Sequence, residues 1–264
     1  MNFSIRQISH IGNRRFNQDR VAYAYSNEAL LLVLADGMGG HLNGELAASL
    51  TIDTFVESFG NQAHPRIAQP EKFLPNAMAH AHRRIMRLPH DRSMGGFPGT
   101  TCVSVLIQDG LMYWGYAGDS RLYLLRNGGV HVRTKDHSVV QQWVEEGRIT
   151  DEQARVHSQR NQITNCLGGV EDSFYAETGQ PIPLKQGDVI LLGSDGLWGP
   201  FTDKELAESF NSPSLDEILD KLVQLALERE AGSSDNITGV AVRWGDGEAA
   251  HETTEPVSHV LQID

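Results

Sequence analysis

The feature that most constrains the fold is an apolar run of strand length that ends at a carboxylate, Leu30-Leu31-Leu32-Val33-Leu34-Ala35-Asp36. Three glycines fall in the next four positions, Gly37-Met38-Gly39-Gly40. A buried strand that carries one Asp at its end, beside backbone that can approach a ligand closely, favours an anion or metal site. The same arrangement returns at Val189-Ile190-Leu191-Leu192-Gly193-Ser194-Asp195-Gly196. One Asp-Gly after a strand is usually a turn, but two copies with glycine-rich flanks favour a functional site.

The net charge of the chain limits the classes of partner that the protein is expected to bind. The 264 residues include 34 acidic and 22 basic side chains, which gives a formal net charge of −12. This excess disfavours binding to nucleic acid or to an anionic membrane, and it suits divalent cations. No apolar run has the length of a membrane span, and the N-terminus lacks the apolar core of a signal peptide. Cys102 and Cys166 lie far apart without metal-ligand spacing, so we expect reduced thiols and a cytoplasmic protein.

The order of the predicted elements indicates an α+β protein. Strands come first, then two amphipathic helices, several strands, an insert, a strand, further helices and a last strand. The first helix is predicted by the apolar spacing of Ala48, Ile52, Phe55 and Phe59. Each amphipathic helix must bury its apolar face against a sheet. We therefore expect the helices to lie on the outer faces of the sheets.

The predicted boundaries give one domain with an insert and a tail. Period-two patterns between residues 102 and 133 predict an antiparallel meander. Residues 136–169 interrupt the strands with short helical pieces. The domain is expected to span residues 1–244, and residues 245–264 are polar without periodicity, which predicts a disordered tail.

Four aspartates stand at the ends of predicted strands. Asp36 and Asp195 each end an apolar strand, Asp119 follows another strand by two residues, and Asp235 stands just before the last one. In an antiparallel sheet the start of one strand lies beside the end of its neighbour, so these acids can gather at one rim of the sheet. Gathered carboxylates repel one another unless they take up cations or protons. Hard oxygen ligands of this kind favour Mg²⁺ or Mn²⁺, and Ca²⁺ if the ligand cage is looser.

Two such ions roughly 3.5–4 Å apart can hold a bridging water and lower its pKa, which makes a nucleophile for phosphoryl transfer. Simpler interpretations compete with this one. Asp119 and Asp235, taken alone, are no better than turn residues. The stretch Gly37-Met38-Gly39-Gly40 could instead be a phosphate-binding loop, but it lacks the Lys and the Ser/Thr of a P-loop and misses the dinucleotide spacing.

Six short motifs in this order resemble the metal-dependent protein phosphatases of type 2C, in their compact bacterial form. The motifs are Arg14 with Asn17-Gln18-Asp19, then Ala35-Asp36-Gly37-Met38-Gly39-Gly40-His41, Gly99-Thr100-Thr101, Gly118-Asp119-Ser120-Arg121, Ser194-Asp195-Gly196-Leu197 and Ser234-Asp235-Asn236-Ile237-Thr238. The resemblance covers nearly the whole chain, from about residue 5 to residue 243. It implies a four-layer α-β-β-α sandwich, in which two packed antiparallel sheets are flanked by helices and carry a flap insert. It also implies a single catalytic domain that removes phosphate from phosphoserine and phosphothreonine in proteins with two or three Mn²⁺ or Mg²⁺ ions.

The same resemblance implies roles for individual residues. Asp36 would bridge the two central metals, and the Gly37 carbonyl would bind one of them. Asp195 and Asp235 would hold the other metal, and Asp19 would act through metal-bound water.

Three further residues gain roles from the resemblance. Asp119 is similar to the ligand of a third, weaker ion shared with Asp195. Arg14 matches the arginine that grips the substrate phosphate, and a planar guanidinium can make paired charge-assisted bonds to phosphate oxygens. The insert corresponds to the family's variable flap, in which His157 would approach the substrate, although an exposed loop histidine is also unremarkable.

The chain departs from some relatives at two positions. Gln18 stands where some members have Glu, and Met38 stands where others have a His that is credited as general acid. The proton donor for the leaving seryl or threonyl oxygen is therefore open, with a metal-bound water preferred and His41 a poor second.

These observations leave two functions open. The first is a phosphatase that acts on phosphorylated proteins, opposes a bacterial Ser/Thr kinase and takes that kinase as a candidate partner; we expect a monomer. The second is a catalytically weak or dead relative that binds phosphoproteins as a regulatory module. Such a relative should have lost one of Asp36, Asp195 or Asp235, and all three are present.

Overall fold

The computed structural model describes residues 1–38, 41–88, 97–169, 174–212, 214–249 and 256–261, with no account of the side chains of 41–42 and 246–249. Gly39, Gly40 and the side chain of His41 therefore lie outside the described part of the chain. The strands are β1 (Asn2–His10), β2 (Asp19–Tyr25), β3 (Ala29–Met38), β4 (Gly99–Thr100), β5 (Cys102–Gln108), β6 (Leu111–Ala117), β7 (Arg121–Arg126), β8 (Gly129–Arg133), β9 (Leu167–Gly168), β10 (Glu177–Thr178), β11 (Ile182–Pro183), β12 (Val189–Gly193), β13 (Ile237–Ala249) and β14 (Val257–Val260). The helices are α1 (His41–Gln62), α2 (Pro70–Met86), α3 (Val139–Glu145), α4 (Asp151–Arg155), α5 (Asp195–Trp198), α6 (Asp203–Ser209) and α7 (Leu215–Arg229).

These strands form two antiparallel sheets. The first sheet has the order β1-β13-β12-β7-β8, and the second has the order β10-β6-β5-β3-β2-β14. In the second sheet β11 also pairs with β6, and β4 pairs with both β3 and β9. The two long central strands of the opening motifs, β3 and β12, thus belong to different sheets.

The unbroken apolar run of β3 is explained by burial on both faces. Successive side chains of a strand point to opposite faces, so the run divides into two sets. Leu30, Leu32 and Leu34 pack between the sheets against Leu122, Ile190 and Val240 of the first sheet. Leu31, Val33 and Ala35 pack on the other side with Ile52, Phe55 and Met78 of α1 and α2. Helices α5 to α7 cover the outer face of the first sheet. The predicted α+β sandwich with helices on both outer faces is confirmed.

The predicted meander is wrong at one point, because β6 and β7 lie in different sheets. The chain crosses between the sheets at Gly118, whose φ of 110° is a left-handed value that favours glycine. A Cβ added at Gly118 would lie 2.6 Å from the Cβ of Thr101, so no other residue fits this crossing. The crossing carries the next residue, Asp119, to the boundary of the two sheets.

The tail also differs from the sequence prediction. Strand β13 continues to Ala249, and β14 pairs with β2 at the sheet edge. The His259 ring stacks on Tyr23 at 4.7 Å, and Leu261 N donates to Val21 O at 3.2 Å. The prediction of disorder is therefore wrong for 245–249 and 257–260, because a four-residue strand is too short for its periodicity to show and its pairing is a tertiary effect. Residues 250–255 and 262–264 lie outside the described part, and the division at residue 244 stays a prediction.

None of the helices in the described ranges combines the length and the apolar character that a membrane-crossing segment needs.

Candidate metal centre

Two of the predicted acids face each other in the second sheet. Asp19 begins β2 and is paired in register with Asp36 near the end of β3. The backbone of Asp36 is held by Thr101, whose Oγ1 accepts from Asp36 N at 3.0 Å and whose N donates to Asp36 O at 2.8 Å. Because these bonds use only the backbone of Asp36, its carboxylate is left for other partners. At Gly37 a Cβ would lie 2.3 Å from Gly44 O, so the close approach of these two backbones requires glycine.

Two further acids come from the first sheet. Asp195 is the first residue of α5, directly after β12, and Asp235 precedes β13, which pairs with β12. Ser194 joins the two segments, since its Oγ accepts from Thr238 N at 3.1 Å. A Cβ added at Gly196 would lie 2.1 Å from Asn236 O, which shows how closely the two loops approach each other.

The fifth acid, Asp119, lies on the crossing between the sheets. Its carbonyl accepts from Trp198 Nε1 at 3.1 Å. The same indole ring stacks on Arg121, with 3.4 Å between the guanidinium carbon and the ring centre. Arg121 in turn makes a bidentate pair with Asp136 at 2.7 and 2.8 Å. The turn after β6 is therefore held by contacts from α5 and from the start of the flap.

The acids therefore converge from both sheets, whereas the sequence predicted the rim of one. The second sheet supplies Asp19 and Asp36, the first supplies Asp195 and Asp235, and the crossing supplies Asp119. Neighbour relations within one antiparallel sheet could not reveal this, because the contact between the sheets depends on how they stack.

A cavity of about 420 Å³ lies where these acids meet. Its charged lining residues are Arg14, Arg15, Asp36, Asp119, Asp195 and Asp235. A larger groove of about 810 Å³ between the flap and helices α5 and α6 shares Arg14, Asp119, Asp195 and Asp235 with it. Asp19 is not in the lining and is buried at 1% exposure. Its register partner Asp36 does line the cavity.

The acids of the cluster are buried close to one another. Among the described residues, both carboxylate oxygens of Asp19 and the Oδ1 atom of Asp195 are buried without a hydrogen-bond partner of ordinary geometry. Burial, with the charge of Asp235 added, raises the pKa of Asp19 to about 6 and that of Asp195 to about 7. The hydroxyls of Thr238 and Ser194 still act on Asp19 and offset part of the rise in its pKa. Burial and neighbouring carboxylates raise the pKa values of Asp36 and Asp119 well above their usual range.

An all-oxygen set of this kind fits Mg²⁺ or Mn²⁺, whose positive charge would compensate the buried carboxylate oxygens. Within the described ranges no three His, Cys, Asp or Glu side chains already stand as a finished ligand set. A divalent cation bound among these carboxylates would offset the repulsion between them. The residues therefore fit a divalent centre.

Arg14 supplies the counter-charge to this cluster. Its Nη2 atom lies 2.5 Å from Asp235 Oδ2. This hydrogen bond, together with the charges of Asp195 and Asp36, raises the pKa of the guanidinium. The Arg14 side chain is 56% exposed, so part of it remains open to an anion in the cavity.

His157 is not brought to the centre. It does not line either cavity, and its ring packs edge-on against Trp143 at 5.2 Å within the flap. Its Nδ1 atom accepts from Gln159 N at 3.1 Å. The flap residue that lines both cavities is Asn161, which sequence reasoning missed because a loop asparagine carries no distinctive signal. The role of His157 stays a prediction.

Asn236 is a second residue that sequence reasoning left without a role. Its Oδ1 atom accepts from Gln18 N at 2.9 Å, and its Nδ2 donates to Ile11 O at 2.8 Å and to Phe16 O at 3.0 Å. One side chain thus holds the whole loop that carries Arg14. The available signal was its place directly after Asp235, within a motif already singled out.

The fold, the carboxylate cluster and the arginine beside it are typical of one class of metal-dependent phosphatases. Residues 6–236 match the protein phosphatase 2C family, and the chain belongs to this family. It is 30% identical over 248 residues to protein phosphatase PhpP of Streptococcus pneumoniae serotype 2 (strain D39), with 93% of this chain and 99% of PhpP covered.

Two solved phosphatase structures are similar to this chain in fold. The serine/threonine phosphatase of S. agalactiae matches with a TM-score of 0.82 at 30% identity, covering 93% of this chain and 100% of that one. The catalytic domain of the serine/threonine phosphatase PstP, solved in complex with two manganese ions, matches with a TM-score of 0.77 at 30% identity, covering 92% and 98%. The chain is a metal-dependent protein-serine/threonine phosphatase.

Proposed function

We propose that this phosphatase hydrolyses phosphoserine and phosphothreonine in proteins at a centre of two or three Mn²⁺ or Mg²⁺ ions, and that it opposes a Ser/Thr kinase in the cytoplasm. The observation that carries the proposal is the convergence of five aspartates from two sheets, with buried carboxylate oxygens that have no hydrogen-bond partner of ordinary geometry among the described residues. The free thiols Cys102 and Cys166 agree with a reducing compartment.

We assign the ligand roles from the family resemblance. Asp36 would be shared by the two central ions, the Gly37 carbonyl would bind one of them, and Asp195 and Asp235 would bind the other. Asp119, the neighbour of Asp195 across the cavity, would hold a third ion with it. Asp19, the register partner of Asp36, would support the centre through water.

The chain's own residues account for substrate binding. When bound, the divalent cations supply a nucleophile from water at neutral pH and neutralise charge on the phosphate. Arg14 would exchange part of its bond to Asp235 for the phosphate oxygens and orient phosphorus for in-line attack. Among the described residues that line the smaller cavity there is no His, Lys, Cys or Tyr, so we assign protonation of the leaving oxygen to water.

The alternative is a catalytically weak or dead relative that binds phosphoproteins. Such a protein has no need to keep buried, mutually repelling carboxylates, which destabilise the fold unless a cation compensates them. The complete set of five acids therefore favours the enzyme.

The test is release of inorganic phosphate from phosphoserine and phosphothreonine peptides with Mn²⁺, with Mg²⁺ and with a chelator. Asp36→Asn should lower kcat/KM by more than about a hundredfold, because it removes the shared ligand. Asp216→Asn, an exposed carboxylate on α7 that pairs with Arg6, is the matched control and should retain full activity. Full activity in the chelator, or in Asp36→Asn, would contradict the proposal.

A further inference from the structure

A buried histidine outside the proposed ligand set contacts the turn that carries Asp119. His137 lies between β8 and α3 and is 7% exposed. Its Nδ1 atom accepts from Gly118 N at 3.1 Å, and its own backbone N donates to Gly118 O at 3.0 Å. One residue therefore bonds both backbone groups of the glycine that immediately precedes Asp119.

The ring of His137 is fixed in one tautomer and one orientation. A backbone N–H can only donate, so Nδ1 must be the unprotonated nitrogen, and it also accepts from Asn165 Nδ2 at 3.1 Å. Nε2 then carries the proton and donates to Glu177 Oε2 at 2.9 Å. The ring lies flat on Tyr116, with 4.6 Å between centres and 9° between planes. The ring is therefore held on three sides.

The turn formed by Gly118 and Asp119 needs contacts from residues outside the two sheets to hold its position. Gly118 adopts a left-handed φ that no other residue could take against Thr101, and the crossing at this point belongs to neither sheet ladder. The position of the Asp119 carboxylate thus depends on the contacts that His137 and Trp198 make to the two residues of the turn.

His137 also belongs to the root of the flap. The carbonyl of His137 accepts a hydrogen bond from Thr164 N at 2.8 Å. A second backbone hydrogen bond, from Val139 N to Gln162 O, is 2.9 Å long. These bonds close the two ends of the flap on each other, and the segment continues directly to Asn161, which lines both cavities. The flap root, His137 and the Asp119 turn are therefore one hydrogen-bonded unit.

We propose that His137 is a positioning residue that joins the flap root to Asp119 and so sets the affinity of the third, weakest metal site. The inference rests on the proposed function in one respect, the assignment of Asp119 as a ligand. The inference adds that the third metal site depends on contacts from the flap root as well as on the acids of the two sheets.

The test is a Mn²⁺ binding isotherm of the metal-free protein, recorded by calorimetry or by the electron paramagnetic resonance of free Mn²⁺. His137→Ala should weaken the weakest Mn²⁺ site by about tenfold or more and leave the tighter sites unchanged. His137→Asn should restore the affinity, because its Oδ1 can accept from Gly118 N where Nδ1 does. His137→Gln places its amide at the Nε2 position instead and should behave like the alanine variant.

His82 provides the matched control. It is also buried, its Nδ1 accepts from Gly168 N at 3.1 Å, and its ring stacks on Phe174 at 4.8 Å, but it lies away from Asp119. His82→Ala should lower the melting temperature without changing the isotherm. If His137→Ala does not fold, the asparagine and glutamine variants decide the question.

Three outcomes would overturn the inference. They are an unchanged weak site in His137→Ala, an equal loss in the asparagine and glutamine variants, or a wild-type protein that binds only two Mn²⁺. The last result would leave the two-metal hydrolysis standing, so it separates failure of this inference from failure of the proposed function.

Discussion

Among the described residues, the buried oxygens of Asp19 and the Oδ1 atom of Asp195 have no hydrogen-bond partner of ordinary geometry. Burial raises the pKa values of the two carboxyl groups from the ordinary 3.8 to about 6 and about 7. Between about pH 4 and pH 7 these two groups therefore hold protons in the metal-free folded chain that they have released in the unfolded chain, so their contribution to its stability falls as the pH rises through this window.

The consequence can be measured by thermal unfolding in a chelator. The melting temperature of the metal-free protein should be lower at pH 7.5 than at pH 5, by on the order of 5 °C. Asp195→Asn should flatten this dependence, because it removes one of the titrating groups. Mn²⁺ should restore stability at pH 7.5. A metal-free protein that becomes more stable over the same window would show that the cluster does not hold these protons.

Arg14 is expected to act through its geometry as well as its charge. Lysine keeps the charge but loses the planar fork, so Arg14→Lys should lower kcat/KM for a phosphopeptide by about tenfold to a hundredfold. Arg66→Lys is the control, since Arg66 is similarly exposed, at 52%, and also pairs with a carboxylate, Asp109. Equal activity of wild type and Arg14→Lys would remove Arg14 from phosphate binding.

Individual residues were predictable from sequence where a carboxylate ended an apolar strand. The acids of the two Asp-Gly motifs could be singled out in this way. Asn161, Asn236 and His137 could not, because a polar side chain in a loop shows no pattern until the fold reveals which backbone groups it satisfies. His157 is the opposite case. Its sequence setting predicted that it approaches the substrate, whereas in the structure its ring packs on Trp143.

At the scale of elements, β3 is the strand on which both cores depend. Leu32 is fully buried between the sheets. Leu32→Ala should lower the free energy of unfolding by about 2–5 kcal/mol, through lost apolar burial and the cavity that remains. The measurement is urea denaturation. Val260→Ala, at a 44% exposed position on β14, should change it by less than about 0.5 kcal/mol. A similar small change for Leu32 would contradict the burial of β3 between the two sheets.

The elements themselves were largely predictable, and their partners were less so. The amphipathic helices follow from apolar spacing, as in α1, and Thr150 and Thr202 begin α4 and α6 with capping boxes in which both reciprocal bonds form. The switch of sheet after β6 was not predictable, because a glycine between two apolar runs indicates a turn without indicating which strand pairs next. Strand β14 was missed because four residues are too few for a strand periodicity to show.

At the scale of the whole molecule, the centre exists because two sheets stack with their acid-bearing ends together. The sequence alone placed the acids at one rim, and only the resemblance to a family implied two sheets. The structure adds that the boundary is crossed at Gly118, so that Asp119 stands between the acids of both sheets. Stacking of the sheets, driven by the apolar core between them, is thus what assembles the site.

The central claim is that these buried acids, protonated when metal-free, are the ligands of the catalytic ions. It is tested most directly by calorimetric titration of Mn²⁺ at pH 6.5 in two buffers of different ionisation enthalpy, which counts the protons released on binding. The account predicts net proton release in the wild type and loss of both binding and proton release in Asp36→Asn. Binding without proton release, or an unchanged titration in Asp36→Asn, would contradict it.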